Sequence, residues 1–382
     1  MKIEAFPNRN NYDLVCFSHL RWDFVYQRPQ HLLSRFAKDR RVFVVEEPVF
    51  HDSDSRLEVS RRDDQLYVVV PHLRHGTEDV DSVMRQLLDR FLTENNVDNF
   101  VSWYYTPMMT AWSDHLEPQA VVFDCMDELS AFKNAPAELL AREAALFEMA
   151  DVVFTGGPSL YESKRTQHHS VYCFPSSIDV KHFAKALEAT DEPEDQGSIP
   201  SPRVGFFGVI DERSDIELLG RLAEMRPDLH FVMIGPVVKI NEEDLPRYEN
   251  IHYLGAKDYK ELPEYIAGWD VAMMPFAMNE STKFISPTKT PEYLAAGRPV
   301  VSTPITDVVK PYGEAGLVFI ADSPEAFSEA IDSALQQDLS ELRQRASAFL
   351  EDMSWDKTYA SMADIIDELV SENSPKASAV HV

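Results

Sequence analysis

Cysteine is scarce in this sequence of 382 residues: Cys16, Cys125 and Cys173 are the only three, and each lies in an apolar run. An odd number of isolated cysteines in apolar segments indicates buried free thiols and a reducing compartment, not a disulfide framework. The sequence also has no Cys-x-x-Cys pair and no Cys/His spacing typical of metal ligands. We therefore expect no metal site.

Basic residues are far fewer than acidic residues in this sequence. The sequence has 36 Lys and Arg against 64 Asp and Glu, which gives a formal net charge of −28. A negative field of this size repels nucleic acid and anionic lipid over the surface as a whole. We expect no nucleic-acid partner, and any anionic substrate must be held by a local positive pocket.

Long apolar runs are absent as well. No stretch approaches the roughly 18 uninterrupted apolar residues of a membrane span, and residues 1–11 lack the apolar core of a signal peptide. The expectation is a cytoplasmic protein with at most weak peripheral contact at the inner face of the membrane. A G-x-S-x-G motif is missing too, which argues against a covalent serine mechanism.

Short apolar runs alternate with helical patterns in two successive blocks, which predicts an α/β fold with two doubly wound, Rossmann-like domains. The strands expected in the first block are 13–18, 41–46, 66–70, 99–104, 120–124 and 151–155. The strands expected in the second block are 203–207, 229–234, 251–254, 270–275, 299–303 and 316–320.

A change in composition marks the boundary between the blocks. Residues 191–202 (DEPEDQGSIPSP) are acidic and rich in Pro and Ser, which indicates a linker or an exposed loop. We place the first domain at 1–185, the linker at 186–202, the second domain at 203–352 and a flexible tail at 373–382. Ligands of open α/β sheets bind at the carboxyl ends of the strands, so we expect a site between the two domains.

The segment 284–304 (FISPTKTPEYLAAGRPVVSTP) reads as a loop, a short helix, a glycine turn and a buried strand. Thr290 is the expected N-cap, Pro291 the first helical residue and Gly297 the end of the helix. The helix N-terminus then faces the strand-end side of the domain. It suits a phosphate because it offers unpaired N–H groups and a positive dipole.

Polar side chains cluster at the start of this helix. Ser286 and Thr288 add two hydroxyls, and Lys289 adds an ammonium group beside the expected phosphate. Glu292, one turn inside, could accept two hydroxyls from a ribose. The alternative is a capped helix with ordinary polar surface residues.

A second segment, 205–219 (GFFGVIDERSDIELL), runs from a strand through Gly208 into a helix. We expect Ser214 to open that helix, with Glu217 completing a capping box. The third glycine of G-x-G-x-x-G is missing, so a dinucleotide site is not indicated.

Arg213 lies just before the expected start of that helix. A guanidinium group at this point can grip a diphosphate with two hydrogen bonds. The alternative is a surface arginine paired with Asp211 or Asp215.

The loop 18–31 (SHLRWDFVYQRPQH) follows the first strand and precedes the first helix, so we expect it to face the cleft. Each of its polar residues alone is more typical of packing or hydrogen bonding, but their concentration indicates an acceptor or catalytic site. The candidates are His19, Arg21, Asp23, Gln27, Arg28 and His31.

The segment 124–128 (DCMDE) comes directly after another strand of the first block. Asp127 would point into the same cleft, where it could act as a base on a hydroxyl. A helix N-cap is an equally good interpretation of Asp127.

Six segments together resemble bacterial GT-B glycosyltransferases of family 4 (group 1), similar to those of teichuronic acid or exopolysaccharide synthesis. The segments are FSHLRWDFVYQRPQHL, VVFDCMDELSAF, GFFGVIDERSDIELL, FVMIGP, PTKTPEYLAAGRPVVST and SWDKTYASM. The resemblance implies two Rossmann-like domains that face each other across a cleft. It also implies a C-terminal helix, 356–372, that returns to the amino-terminal domain.

The same resemblance implies a function. The second domain would bind a UDP- or GDP-sugar, and the first would bind a glycan or lipid-linked acceptor for cell-surface polysaccharide synthesis, without a metal or other cofactor. Donor-binding residues would be Gly208, Arg213, Lys257, Ser286, Thr288, Lys289 and Glu292. Acceptor-binding residues would be Arg21, Gln27, Arg28 and His31, with His19, Asp23 and Asp127 as catalytic candidates.

One departure from the family pattern concerns Glu-x7-Glu, in which a first glutamate stands eight residues before the second. Phe284 occupies that position relative to Glu292, so the carboxylate is missing or Glu280 serves from a shifted loop. Two other functions remain open: a sugar-nucleotide epimerase of the same fold, and a non-catalytic protein that binds a sugar nucleotide or glycan.

Overall fold

The computed structural model describes residues 12–189 and 191–373. Within them the chain forms two domains, each built on a largely parallel sheet between helices. The central strands are apolar and buried along their whole length, as a parallel sheet covered on both faces requires. The helices cover the sheets with amphipathic faces.

The sheet of the first domain has nine strands within the described residues. These are β1 (Asp13–Ser18), β2 (Val42–Glu46), β3 (Val49–His51), β4 (Arg56–Asp63), β5 (Leu66–Arg74), β6 (Phe100–Tyr104), β7 (Ala120–Cys125), β8 (Val152–Thr155) and β9 (Val171–Cys173). Their order is β3-β5-β2-β1-β6-β7-β8-β9. These neighbours are parallel, and β4 adds to β5 in the antiparallel direction.

The second domain has a six-stranded sheet in the described part of the chain. Its strands are β10 (Arg203–Phe207), β11 (His230–Ile234), β12 (Ile251–Gly255), β13 (Val271–Met274), β14 (Val300–Ser302) and β15 (Val318–Ile320). They lie in the order β12-β11-β10-β13-β14-β15, and all pairs are parallel.

Helices fill the connections. In the first half they are α1 (Arg28–Phe36), α2 (Val80–Glu94), α3 (Thr110–Ser113), α4 (Leu139–Met149), α5 (Pro158–Lys164), α6 (Val180–Phe183) and α7 (Glu194–Gly197). In the second half they are α8 (Ile216–Met225), α9 (Leu262–Ala267), α10 (Lys289–Ala295), α11 (Thr306–Val308), α12 (Pro324–Leu335), α13 (Leu339–Leu350) and α14 (Trp355–Asn373).

The last helix, α14, packs on the first domain. Trp355 and Ile366 are buried in the same apolar cluster as the strands of the first sheet, and the hydroxyl of Tyr12 donates to Asp367 at 2.6 Å. The chain therefore crosses between the domains twice. The two crossings touch, because the backbone N–H of Trp355 donates to the carbonyl oxygen of Ile178 at 3.4 Å. The predicted return of the C-terminal helix is confirmed.

The first crossing comes earlier than predicted. Ile178, Phe183 and Ala186 are buried in the core of the second domain, so the chain leaves the first domain before residue 178 and not within 186–202. The apolar side chains at 178, 183 and 186 are spaced too irregularly to mark a core segment by periodicity.

Residues 191–202 are exposed along most of their length, in agreement with the linker or exposed loop predicted there, but two of them are buried in the second domain. Gln196 is 0% exposed and bonds both the carbonyl of Tyr265 and the indole N–H of Trp269, and Ile199 is buried. A glutamine with hydrogen-bond partners for both its oxygen and its amide nitrogen can be buried, so Gln196 anchors this polar and mostly exposed segment to the domain. Residues 1–11 and most of the predicted tail, 374–382, lie outside the described residues.

Three strands were missing from the prediction: β3, β4 and β9. All three contain exposed or half-buried residues, so they lack the continuous apolar run that marks the central strands. The cysteines are free, with Cys16 and Cys125 buried and Cys173 half-buried. No helix in the described ranges is long and apolar enough to cross a membrane.

Candidate active site between the domains

A cleft of about 490 Å³ lies between the carboxyl ends of the two sheets. Loops after β1, β7, β8 and β9 line it from the first domain, and loops after β10, β11, β12 and β13 line it from the second. Its volume falls within the range of small-molecule sites. The location at the strand ends is where sequence reasoning expected a ligand.

The start of α10 forms one wall of the cleft, with Ser286, Thr288, Lys289 and Glu292 in the lining. The helix begins at Lys289, so Thr290 is not the N-cap. Its hydroxyl is buried 3.4 Å from the sulfur of Met274 instead. The tight loop before Pro291 already has helical backbone angles at Thr288, which places the helix start earlier than the proline signal indicates.

Gly208 lies directly beneath the side chain of Lys289. A Cβ atom added to Gly208 would lie 2.3 Å from Cε and 2.7 Å from Nζ of Lys289, and the residue has φ +140°. Both the backbone conformation and the close approach therefore require glycine. The ammonium group of Lys289 also lies 5.5 Å from the ring centre of Phe206.

Lys289 and Glu292 both have limited exposure to solvent, and the charge of each affects the pKa of the other. Burial lowers the pKa of Lys289, and the carboxylate of Glu292 opposes that effect. Burial raises the pKa of Glu292, and the ammonium group of Lys289 opposes it. Glu292 is 4% exposed, and its Oε2 has no hydrogen-bond partner among the described residues. A buried acceptor without a partner is costly, and it is suited to a ligand hydroxyl.

Arg213 lines the same cleft. Its Nε and Nη2 donate to the buried carboxylate of Asp211 at 3.0 and 2.7 Å. Its guanidinium carbon lies 5.4 Å from the ring centre of Phe132, a residue of the opposite domain. The charge of Arg213 also lowers the pKa of Lys289. Pairing with Asp211 thus fixes the guanidinium at the cleft.

The helix after Arg213 begins one residue later than predicted. Asp215 is the N-cap of α8 and accepts from the N–H of Leu218 at 2.8 Å, so the expected capping box of Ser214 and Glu217 is wrong. Asp is as good an N-cap as Ser, and the sequence offers both side by side.

Asp127 lies in the cleft lining of the first domain and caps no helix, since Glu128 and Glu138 are the cap residues that follow it. Burial raises its pKa, while the charge of Arg213 acts in the opposite direction. A carboxylate with a raised pKa is a better proton acceptor.

The loop that carries Asp127 is anchored by a buried ion network. The ammonium group of Lys164 lies 2.9 Å from a carboxylate oxygen of Glu128 and 2.9 Å from one of Glu143. The Lys164 side chain is 4% exposed, so this cation is held almost entirely by the two glutamates. The network ties α4 and α5 to the loop after β7.

Three candidates of the loop 18–31, Asp23, Gln27 and Arg28, line the cleft. Asp23 is 64% exposed and forms an ion pair with Arg62 at 2.5 Å. Gln27 is the N-cap of α1, and its backbone N–H donates to the side-chain oxygen of Gln30 at 3.0 Å.

The two arginines of this loop are engaged in internal pairs. Arg28 lines the cleft but is 3% exposed, with Nε and Nη2 on Asp124 and Nη1 on the carbonyl of Phe174. Arg21 lies outside the lining and bonds Glu46 and the carbonyl of Glu47. The partners of both guanidinium groups are carboxylates and carbonyls of the protein, and the role of both residues in acceptor binding stays a prediction.

The two histidines also lie outside the set of residues that line the cleft. His31 is buried and stacks on Trp355 at 4.6 Å, and burial lowers its pKa to about 3. Burial lowers the pKa of His19 to about 4, and its Nδ1 has no partner among the described residues. The structure therefore does not bring these two side chains into the lining, and the acceptor-binding role of His31 and the catalytic role of His19 stay predictions.

Lys257 lines the cleft and is held by Asp195 at 2.5 Å. Asp195 also accepts from the hydroxyl of Tyr265 at 2.8 Å. Asp195, in the segment 191–202, thus positions a residue of the loop after β12. The role of Lys257 near a base stays a prediction.

Glu280 does not replace the missing carboxylate. Its side chain is 81% exposed, pairs loosely with Lys283 at 3.8 Å and lies outside the cleft lining. Phe284 packs against the apolar cluster of the first domain. The family position of the first glutamate is therefore used here for contact between the domains.

Sequence reasoning missed three residues. Tyr259 lines the cleft. Phe132 contacts Arg213 of the lining, and the ammonium group of Lys239 lies 4.9 Å from the centre of the Phe132 ring. Their only sequence signal was position in loops that follow strands. Across the described ranges, no group of three or more His, Cys, Asp or Glu side chains is arranged to hold a metal ion.

The domains touch directly behind the cleft. Asp307 is 4% exposed and accepts from the N–H of Ser159 at 3.1 Å, and the hydroxyl of Ser176 donates to the carbonyl of Ser286 at 2.6 Å. Burial raises the pKa of Asp307 to about 6, although hydrogen bonds from Ser159 lower it. Ser286 is thus held by the first domain while its loop lines the cleft.

Comparison with known sequences bears on this site. Residues 201–337 match the family described as Glycosyl transferases group 1. TuaH of Bacillus subtilis (strain 168), whose assignment as a teichuronic acid biosynthesis glycosyltransferase is itself provisional, is 26% identical over 229 residues. That match covers 55% of this chain and 57% of TuaH, so it spans little more than half of the relative's length.

Solved structures resemble the whole chain. Sucrose-phosphate synthase from Thermosynechococcus elongatus has a TM-score of 0.69 at 14% identity, over 95% of this chain and 100% of that one. An E. coli structure described as trehalose-6-phosphate bound with UDP-2-fluoro glucose has a TM-score of 0.65 at 14% identity, over 94% and 99%. The UDP-forming α,α-trehalose-phosphate synthase of Burkholderia xenovorans, in complex with glucose-6-phosphate, has a TM-score of 0.64 at 12% identity, over 94% and 99%. At these identities the likeness shows the fold, and the predicted GT-B fold is confirmed.

Proposed function

We propose that this chain, a GT-B protein with a group 1 glycosyltransferase domain at residues 201–337, transfers a sugar from a nucleoside-diphosphate donor to a hydroxyl group. The observation that carries the proposal is that Lys289 and Arg213 both line the cleft of a chain with net charge −28. Both cations sit where ligands of open α/β sheets bind.

The difficult step in such a transfer is the separation of an anionic diphosphate from a cationic sugar carbon. Lys289 and Arg213 would stabilise the charge that develops on the leaving group, and they are already fixed by Gly208 and Asp211. Because these cations supply positive charge, we propose that no metal ion is needed. Turnover should then be unchanged in the presence of EDTA.

The acceptor hydroxyl would enter from the side of the first domain. Asp127 lies in the lining there, and its raised pKa suits a base that removes the hydroxyl proton in an inverting reaction. In a retaining reaction the leaving phosphate would take that proton. Asp23 and Gln27 line the approach and would contact the acceptor.

The donor and acceptor classes are proposed from the relatives. UDP-sugar or GDP-sugar is the donor class, since structural neighbours are described as bound with UDP-2-fluoro glucose or as UDP-forming. TuaH is named for teichuronic acid biosynthesis, so a glycan or lipid-linked acceptor of cell-surface polysaccharide is the acceptor class.

The test is nucleotide binding by calorimetry with Lys289→Ala and Arg213→Ala. Each variant should bind UDP or GDP at least about tenfold more weakly than wild type, because a hydrogen bond to a charged group is lost. Lys283→Ala is the matched control, since that lysine is 56% exposed on the same loop and lies outside the cleft lining. Unchanged affinity in both variants would refute the phosphate assignment.

Transfer is separated from the two other functions by product analysis. Incubation of sugar nucleotides alone, followed by NMR, would show conversion by an epimerase. A pure binding protein would release no nucleotide when acceptors are added, whereas a transferase releases one nucleotide for each sugar transferred.

A further inference from the structure

Tyr259 occupies an unusual position between the two domains. It lies in the loop between β12 and α9, and its ring is stacked between Tyr26 of the first domain and His182 of α6. Both ring centres are 4.4 Å from that of Tyr259, with interplanar angles of 23° and 14°. His182 Nε2 also lies 2.9 Å from the carbonyl oxygen of Tyr259. Ring and backbone are therefore fixed from both sides.

The hydroxyl of Tyr259 is not explained by this packing. It is buried and has no hydrogen-bond partner among the described residues, and Tyr259 belongs to the cleft lining. Burial and then the charge of Glu292 raise its pKa. Within the described residues, Glu292 Oε2 is the other buried oxygen of the cleft lining that has no hydrogen-bond partner. Because both residues line the cleft, a bound ligand can supply the missing partners.

We propose that Tyr259 is a donor-binding residue whose hydroxyl, together with the carboxylate of Glu292, hydrogen-bonds the sugar hydroxyls of the nucleoside. Tyr26, from the opposite domain, is the positioning residue that holds the Tyr259 ring. The proposal rests on the proposed function, because it names a second contact to the same donor. A carboxylate only accepts hydrogen bonds, whereas a phenol hydroxyl both donates and accepts them. The pair can therefore bond the two hydroxyls of a sugar diol, each of which is a donor and an acceptor.

Tyr26 connects Tyr259 to the loop of the first domain that is proposed to bind the acceptor. It belongs to the loop 18–31, is 44% exposed and meets His31 edge to face at 4.7 Å. His31 in turn stacks on Trp355, the first residue of the returning helix. A continuous row of aromatic rings therefore joins the donor contact to the acceptor loop and to α14.

The first experiment uses Tyr259→Phe, which keeps the ring and its stacking and removes only the hydroxyl. The probe is whichever of UDP and GDP binds the wild-type protein more tightly by calorimetry. We expect an affinity about five- to tenfold lower in the variant. The 2′-deoxy or the 3′-deoxy form of the probe should lose less affinity in the variant than in wild type, because its missing hydroxyl is the one that Tyr259 contacts.

Tyr253→Phe is the matched control. Tyr253 is on β12, its hydroxyl donates to the carbonyl of Pro246 at 3.2 Å, and it lies outside the cleft lining. Its affinity for the probe should equal that of wild type. Near-ultraviolet circular dichroism of each variant reports whether the aromatic packing is kept.

The second experiment tests the positioning role of Tyr26 with Tyr26→Ala and Tyr26→Phe. The alanine variant should bind the probe about three- to tenfold more weakly, although it changes the domain opposite the donor, and the phenylalanine variant should bind as wild type does. If the Tyr26 ring served only the stability of the protein, Tyr26→Ala would lower the thermal stability but would not show a loss of affinity for the probe that Tyr26→Phe restores.

The outcomes separate the inference from the proposed function. Wild-type affinity in Tyr259→Phe, with Lys289→Ala still impaired, overturns the role of Tyr259 and leaves the transferase proposal standing. Wild-type affinity in Tyr26→Ala overturns the positioning role. Binding of neither UDP nor GDP to the wild-type protein overturns both proposals together.

Discussion

Gly157 offers a direct test of whether the observed contact between the domains is the active arrangement. It is the N-cap of α5 in the first domain, and it faces Asp307 and Ser286 of the second. A Cβ at this position would lie 2.3 Å from Oδ2 of Asp307 and 2.7 Å from Cβ of Ser286. The perturbation is Gly157→Ala, which places one methyl group exactly between the two domains' surfaces.

The expected displacement follows from these distances. Ordinary contact of a Cβ begins at 3.4 Å, so the domains must separate locally by about 1 Å. Gly157 has φ −175°, which alanine adopts freely, and the new methyl group touches neither apolar core. Stability of each domain should therefore be kept while their relative position changes.

A shift of this size matters because Ser286 lines the cleft. Misplacement of reacting groups by about 1 Å can lower a rate on the order of 10²-fold. We expect that loss in the rate of nucleotide release from the donor sugar in the presence of acceptor. A pair of spin labels, one on each domain, should report a longer distance in the variant.

Gly197→Ala is the control, because its nearest atom would be 3.7 Å away, in Glu192. The reasoning is refuted if Gly157→Ala releases nucleotide at the wild-type rate and shows the wild-type distance between labels. A variant that loses its far-ultraviolet circular dichroism would also contradict it, since the domains are expected to stay folded.

Three further variants test electrostatics and backbone. Asp307→Asn should raise the free energy of unfolding at pH 8 by up to about 3 kcal/mol, because the pKa of Asp307 is raised from 3.8 to about 6. The free energy of unfolding of the wild-type protein should then fall as pH rises from about 4 to 6, and it should stay at the lower value above pH 6. The variant should therefore be more stable than wild type at pH 8 by more than at pH 4, and an equal difference at the two pH values contradicts the assignment. Lys164→Met removes the cation that pairs with buried Glu143 and half-buried Glu128, and it should cost about 3–5 kcal/mol in urea unfolding; a loss below about 1 kcal/mol would show that water replaces the cation. Gly208→Ala should weaken nucleotide binding as much as Lys289→Ala, because its Cβ would lie 2.3 Å from Lys289 Cε, and calorimetry with wild-type affinity would disprove this contact.

The central strands were predictable because burial on both faces leaves a continuous apolar run. The expected strand 203–207 agrees with β10 residue for residue. Strands β3 and β4 at the sheet edge carry exposed residues, so the signal that marks a buried strand is absent there. The helix starts at α8 and α10 shifted by one or two residues, since neighbouring residues could cap equally well.

The sequence predicts which loops meet at the candidate site, but it does not predict which charged side chains there are paired within the protein. Loops that follow parallel strands must gather at one edge of a sheet, so Lys289, Arg213 and Asp127 could be placed in one cleft. The partner of Arg28 is Asp124, 96 positions along the chain, and no local pattern reveals such a pair. The hydroxyl of Tyr259 could be recognised as unpaired only once its neighbours were known.

The two crossings between the domains lie side by side, joined by the contact of Trp355 with Ile178. Two bodies tied along one edge can swing about that edge, but they cannot slide past each other or come apart. If the proposed transfer to a cell-surface glycan takes place, release of the bulky product would require such a swing in every cycle. Under that proposal, the rate of the swing would set an upper limit on turnover, whatever the rate of the chemical step.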